Sequence, residues 1–251
     1  RSIWVTGVQT CALPILLVVI TETIEQGHRT AASLLGQSIK KNPTLRLGLA
    51  AGNTPIGVYQ SLVDPHQSMH LDFSGVEFFS LDEFLGLPPT SSKSYNAFFH
   101  QHLFRHINAN LDNIHLLKGE SQGDMASYCH SYERLIHDRG GIDVQLLGIG
   151  INGHLAFNEP MSSFRSRTRV SLLSAETRET LSRTFNETEA PEWAVTMGLG
   201  TIAEARALLM LAFGKEKATA IAKAVEGPLT AAIPASSIYM EIGRASCRER
   251  V

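Results

Sequence analysis

The chain has 251 residues, 43% hydrophobic and 18% charged, which is apolar enough for a full globular core and too apolar for a disordered chain. Lysine and arginine total 22 against 24 acidic residues, a formal charge of −2 with a pI near 6.6. No broad nucleic-acid surface is therefore expected, while a local cationic pocket for a small anion remains open.

The three cysteines, Cys11, Cys129 and Cys247, form no CxxC or Cys/His cluster. This argues against a disulfide framework or a structural zinc site and for a reduced, cytoplasmic setting. Residues 1–15 (RSIWVTGVQTCALPI) and 241–251 (EIGRASCRERV) show neither helical nor strand periodicity. Both resemble translated adapter sequence, so they are set aside as non-native ends and 16–240 is read as a single domain. The first apolar run, Ala12 to Ile20, contains Pro14 and falls short of the ~20 residues of a membrane helix; it is also a poor match to a signal peptide.

Along the body, Leu16 to Thr21, Leu45 to Ala50, Val76 to Leu81, Ile142 to Ile149, Ala194 to Met197 and Ala207 to Phe213 are nearly continuous apolar runs. Strands buried on both faces require that pattern. Between the runs, 23–41 and 94–107 carry apolar residues near a 3.6-residue period, and 123–138, 174–186 and 214–225 also read as helices. The alternation predicts an α/β fold, a mostly parallel sheet with helices on both faces.

In such a sheet ligands bind beyond the carboxyl ends of the strands, which directs attention to four segments. After Leu45 to Ala50, the turn Gly52-Asn53-Thr54 feeds a helix near Pro55. Free backbone N–H groups at a helix start suit a phosphate, and Thr54 is placed to donate a hydroxyl or cap the helix; on this motif alone a plain capped turn is the readier reading. After Val76 to Leu81 stands Asp82-Glu83-Phe84, where desolvation would raise a carboxyl pKa into the range useful for proton exchange with carbon. An isolated Asp-Glu pair is otherwise a helix cap or a loop ion pair.

The third segment, Gly148-Ile149-Gly150-Ile151-Asn152-Gly153-His154-Leu155-Ala156-Phe157-Asn158-Glu159-Pro160, follows a buried strand. Its glycines let backbone approach a ligand, and Glu159 paired to one nitrogen of His154 would leave the other for proton transfer. A turn-stabilising surface histidine is the bland alternative. The fourth segment is cationic: Arg165, Arg167, Arg169, Arg178 and Arg183, then Lys215 and Lys217. Most of these read as solvated charges, with one or two near strand ends able to neutralise a phosphate. His100, His102 and His106 lack the companions of a zinc site.

The stretches LGLAAGNTP, FFSLDEF, LLGIGINGHLAFNEP, SRTRV and LAFGKEKATAIAKAVEG, in this order, resemble the glucosamine-6-phosphate deaminase family over essentially 16–240. The resemblance implies a Rossmann-like sheet, no metal or organic cofactor, and conversion of glucosamine 6-phosphate to fructose 6-phosphate and ammonium in amino-sugar catabolism. It implies that Asp82 moves a proton between C2 and C1, that His154 oriented by Glu159 assists ring opening, and that Gly52, Asn53, Thr54, Arg183 and Lys217 hold the phosphate. Asn152 stands where some members have Asp, an NGH form similar to the short, non-allosteric branch, and counts with the catalytic set. Ala51 replaces the usual Ser or Thr of the phosphate turn and removes a hydroxyl. Ser162, Ser163 and Arg169 match activator-binding positions of the hexameric branch, but Ser171 stands where a Lys is expected.

The implied partner is a small amino-sugar phosphate, with no nucleic acid or membrane and with a monomer or homo-oligomer both open. A galactosamine-6-phosphate deaminase would use the same residues. A 6-phosphogluconolactonase would resemble DER and GHTASLF at the second and third segments instead, and a sugar-phosphate sensor would not need Asp82.

Overall fold

The computed structural model describes residues 2–8, 15–64, 70–120, 123–182, 185 and 190–240. The elements in chain order are β1 (Ser2–Val8), β2 (Ile15–Thr21), α1 (Ile24–Lys41), β3 (Arg46–Leu49), α2 (Ile56–Val63), β4 (Glu77–Ser80), β5 (Asp82–Phe84), α3 (Tyr95–His102) and β6 (Ile114–His115). Then follow α4 (Met125–Asp138), β7 (Val144–Gly148), β8 (Arg169–Leu172), α5 (Ala175–Ser182), β9 (Trp193–Thr196), α6 (Leu199–Ile202), β10 (Ala207–Ala212) and α7 (Ala218–Val225).

The main sheet has the order β2-β1-β10-β7-β3-β4-β6, and its pairs from β10 to β6 are all parallel. Leu208 to Ala212 of β10 are buried one after another. Successive strand residues point to opposite faces, so both faces are covered at β10, as its apolar run predicts, whereas the run Leu16 to Thr21 forms the edge strand β2, where Leu17, Val18 and Ile20 are exposed. Helix α1 shows why the covering elements form. Thr23 accepts the Gln26 N–H at its start, Glu25 lies in its first turn, and Lys40 and Lys41 lie in its last, matching the helix dipole. Its buried residues Gly27, Ala31, Leu35 and Ile39 recur every fourth position, one stripe facing the sheet.

The structure corrects the sequence reading at three places. Ser2–Val8 forms a strand between β2 and β10, antiparallel to both; its Ile, Trp, Val and Thr content has high strand propensity, which outweighs the lack of alternation. The run at Ala194 to Met197 is a strand, but of a second sheet with the order β5-β9-β8, antiparallel throughout. The helix read at 94–107 stops at His102, and a 3-10 turn over Phe104–His106 follows. Leu103 and Phe104 are both buried at this break. No helix among the described residues is long and apolar enough to cross a membrane.

Candidate active site

Strands β3 and β4 pair with Leu49 opposite Ser80, and β10 and β7 with Leu211 opposite Gly148. The parallel strands therefore end at one edge, and the segments that follow them share it. After β3, Gly52 takes φ +95°, a left-handed conformation that favours glycine. Pro55 is the N-cap of α2 and no side chain caps that helix, so the capping role considered for Thr54 is not observed. A proline at this point needs no amide partner, and the turn is held from behind: the buried Tyr59 hydroxyl donates to the Ala50 carbonyl at 2.7 Å.

Asp82 and Glu83 are both buried, yet they do different things. Glu83 Oε1 accepts the N–H groups of Phe84 and Tyr95, and Oε2 that of Asn96, each at 2.9 Å. Its carboxylate thus closes the start of α3, the cap that an Asp-Glu pair suggests. Asp82, 6% exposed, accepts no hydrogen bond on its carboxyl from the described residues. Burial, reinforced by the neighbouring Glu83, pushes its pKa up to about 8.

The glycine-rich loop after β7 curls on itself. Gly150 donates to the His154 carbonyl at 2.9 Å, and a Cβ at Gly150 would overlap the His154 imidazole, so glycine here makes room for the ring. Asn152 ties the loop together: its Oδ1 accepts the His154 N–H and its Nδ2 donates to Glu159 Oε2, both at 3.1 Å. The expected pairing of His154 with Glu159 takes the form of an ion-pair contact, with Nδ1 3.6 Å from Glu159 Oε2, the oxygen that also accepts from Asn152.

Glu159 itself is held from α5. The Thr177 hydroxyl donates to Oε1 at 2.6 Å, and Ser174 Oγ accepts the Thr177 N–H at 3.1 Å. Burial disfavours the Glu159 charge, but His154, Thr177 and Asn152 outweigh it and lower the pKa to about 2. Thr177 and Ser174 escape the sequence reading. Their only signal there is a Ser/Thr pair opening a predicted helix, which reads as an ordinary cap.

Thr196 of β9 brings Asp82 and the loop together. It pairs with Asp82 across the second sheet, and its hydroxyl accepts the Phe157 N–H at 3.1 Å. Asn158, fully buried, donates to the Leu155 and Met197 carbonyls, and the Met197 N–H donates to the Leu81 carbonyl. The loop carrying His154 is in this way fastened to the strand carrying Asp82.

The cations divide. Arg167 is paired with Glu204, Arg178 with Glu192, and Arg169 donates to Asn158 and Ser162; Arg165 and Lys215 are exposed. Lys217 is half-buried beyond the end of β10, and burial pulls its pKa down, against Glu216. Arg183 lies outside the described residues. His100, His102 and His106 gather no further ligands, and among the described residues no group of three or more His, Cys, Asp or Glu comes together.

The sequence profile of the glucosamine-6-phosphate isomerases/6-phosphogluconolactonase family matches residues 20–246. This chain belongs to that family. Within the family it is 44% identical over 222 residues to glucosamine-6-phosphate deaminase 2 of Bacillus subtilis, covering 87% of this chain and 89% of the relative. It is 42% identical over 224 residues to a glucosamine-6-phosphate deaminase of Thermoanaerobacter sp., covering 89% and 88%. Among solved structures, a monomeric glucosamine-6-phosphate deaminase superposes with a TM-score of 0.85 at 38% identity, over 88% of this chain and 91% of that one. The 6-phosphogluconolactonase of Trypanosoma brucei shares the fold at 20% identity, with a TM-score of 0.70 over 89% and 91%.

Proposed function

We propose that this chain converts glucosamine 6-phosphate and water to fructose 6-phosphate and ammonium. The observation that carries the reading is Asp82, a buried carboxyl without a hydrogen-bond partner among the described residues, fastened through Thr196 beside the His154 loop.

The chemistry assigns each group a task. The pyranose opens when a proton reaches the ring oxygen and the C1 hydroxyl gives one up, leaving an aldehyde. His154 serves this step, with Nδ1 turned toward Glu159 and Nε2 left for the sugar. Asp82, ionised, then removes the C2 proton to give an enolamine and returns it to C1, which leaves an imine at C2. Water adds to that carbon and ammonia departs, giving the ketone. A base shared between neighbouring carbons must be held close to both, and a carboxyl titrating near 8 both accepts and releases a proton readily. Asn152 and Glu159 keep the imidazole in place. The Gly52-Asn53-Thr54 turn, Lys217 and Arg183 grip the phosphate, remote binding that fixes the reacting carbons against Asp82.

The test is to incubate the purified protein separately with glucosamine 6-phosphate, galactosamine 6-phosphate and 6-phosphogluconolactone, following ammonia, fructose 6-phosphate and acid. The reading expects ammonia and fructose 6-phosphate from the first. Acid from the lactone with no ammonia from either amino sugar would overturn it.

A further inference from the structure

His28 belongs to none of the segments that point to the site, yet it contacts two of them. It stands on α1, and its Nε2 lies 3.1 Å from the Thr54 carbonyl. A carbonyl only accepts, so Nε2 carries the proton and donates. Burial lowers the His28 pKa, against the Thr54 carbonyl and Glu25, which favours the neutral ring. The ring lies flush on the first turn of α2, because Gly57 has no side chain; a Cβ there would overlap His28 Nδ1 and Cε1. Phe213 meets the same ring edge-on, with centroids 4.7 Å apart and planes at 81°. Phe213 ends the apolar run of β10 and leads through Gly214 to Lys217.

The imidazole is therefore wedged between the Gly52-Asn53-Thr54 turn and the segment that carries Lys217. From this geometry we infer that His28 is a positioning residue for phosphate binding, setting the spacing between the turn and the lysine without touching substrate. This rests on the reading that those two segments grip a phosphate. The pairing of a large residue at 28 with none at 57 explains why the wedge fits: each is incompatible with the ordinary choice at the other.

The experiment compares His28→Ala, His28→Gln, Gly57→Ala and Lys217→Ala with the parent enzyme. It measures kcat and KM for glucosamine 6-phosphate, competitive inhibition by inorganic phosphate, and melting temperature. His28→Ala is expected to raise KM and the phosphate inhibition constant about tenfold, with kcat falling less than KM rises, because a loosened phosphate also holds the reacting carbons less firmly. His28→Gln, whose amide still donates to the Thr54 carbonyl, is expected to recover part of that loss. Gly57→Ala keeps His28 but drives its ring from Thr54, and is expected to reproduce the KM effect even if His28→Ala does not fold. Unchanged KM and phosphate inhibition in His28→Ala or Gly57→Ala, while Lys217→Ala weakens both, would overturn the role of His28 alone. Unchanged phosphate inhibition in Lys217→Ala would instead overturn the phosphate reading, and this inference with it.

Discussion

Asp82 and Glu83 are chemically alike and adjacent, and the fold gives them opposite surroundings. Glu83 receives three backbone N–H groups and caps α3, whereas Asp82 receives none from the described residues. Burial of the Asp82 carboxyl beside Glu83 has a thermodynamic consequence. The Asp82 carboxyl holds its proton to about pH 8 when folded, against 3.8 as its ordinary value. Between those values the native state binds more protons than the unfolded chain, so this group's contribution to stability is full below pH 3.8 and is lost as pH rises through about 8. Asp82→Asn removes the ionisation while keeping the shape. It is expected to cut kcat by at least about 10²–10⁴-fold, the range for general acid–base groups, and to melt increasingly above the parent as pH goes from 5 to 9. Wild-type turnover in this variant would refute the base assignment, and a melting difference that does not grow with pH would refute the buried ionisation. On the proposed role of Asp82 as base, the parent's kcat/KM is likewise expected to climb toward pH 8, where more of the carboxyl is ionised.

Between β7 and β8, the loop from Gly148 to Glu159 behaves as a clasp whose two ends are fixed to different sheets. One end continues β7 of the main sheet, and the other is bonded through Phe157 to Thr196 of β9 in the small one and through Asn158 to Met197 just beyond it. Gly150 is its tightest point, because the imidazole of His154 occupies the space a side chain would need. Gly150→Ala is expected to displace that ring and lower kcat about 10²-fold, the order expected for an ångström-scale misplacement. Circular dichroism and melting should stay near the parent, since the loop lies outside the sheet; full activity would show that the ring does not need its observed position. Much of this clasp is legible from residue types alone, because glycines, a histidine and a glutamate after a buried strand already point to chemistry. The hands that hold it are not. Thr177 is eighteen positions from Glu159 and Thr196 thirty-nine from Phe157, and a hydroxyl at such separations carries no local signal.

At the scale of the whole molecule, two sheets share the work. The main sheet supplies a rigid edge, and the small antiparallel sheet carries Asp82 and receives the loop with His154. The aromatic cluster of Phe84, Phe157 and Phe185 packs on that small sheet, so its strands have a core of their own joined to the larger one. Phe79, fully buried in β4, packs between His115 and Tyr132. Phe79→Ala is expected to cost about 3–5 kcal/mol in chemical denaturation, as other large-to-small core changes do. A loss below about 1 kcal/mol would mean that the site collapses to fill the gap.

Apolar runs such as Leu45 to Ala50 and Ala207 to Phe213 were sufficient to predict a buried parallel sheet, because burial on both faces selects composition directly. The same runs place the Gly52 turn, Asp82, the His154 loop and Lys217 beyond strand ends, and the motifs within them carry the family. Strand partners were another matter. Nothing local separates the run at Ala194 from the others, yet it pairs with β5 and β8 in a separate sheet, since pairing depends on which distant edge is free. For the same reason tertiary structure alone decided that Glu83 caps a helix, that Asn152 donates to the Glu159 oxygen facing His154, and that His28 reaches Thr54. Each of those contacts is made by a hydrogen bond to a group whose position only the packed chain defines.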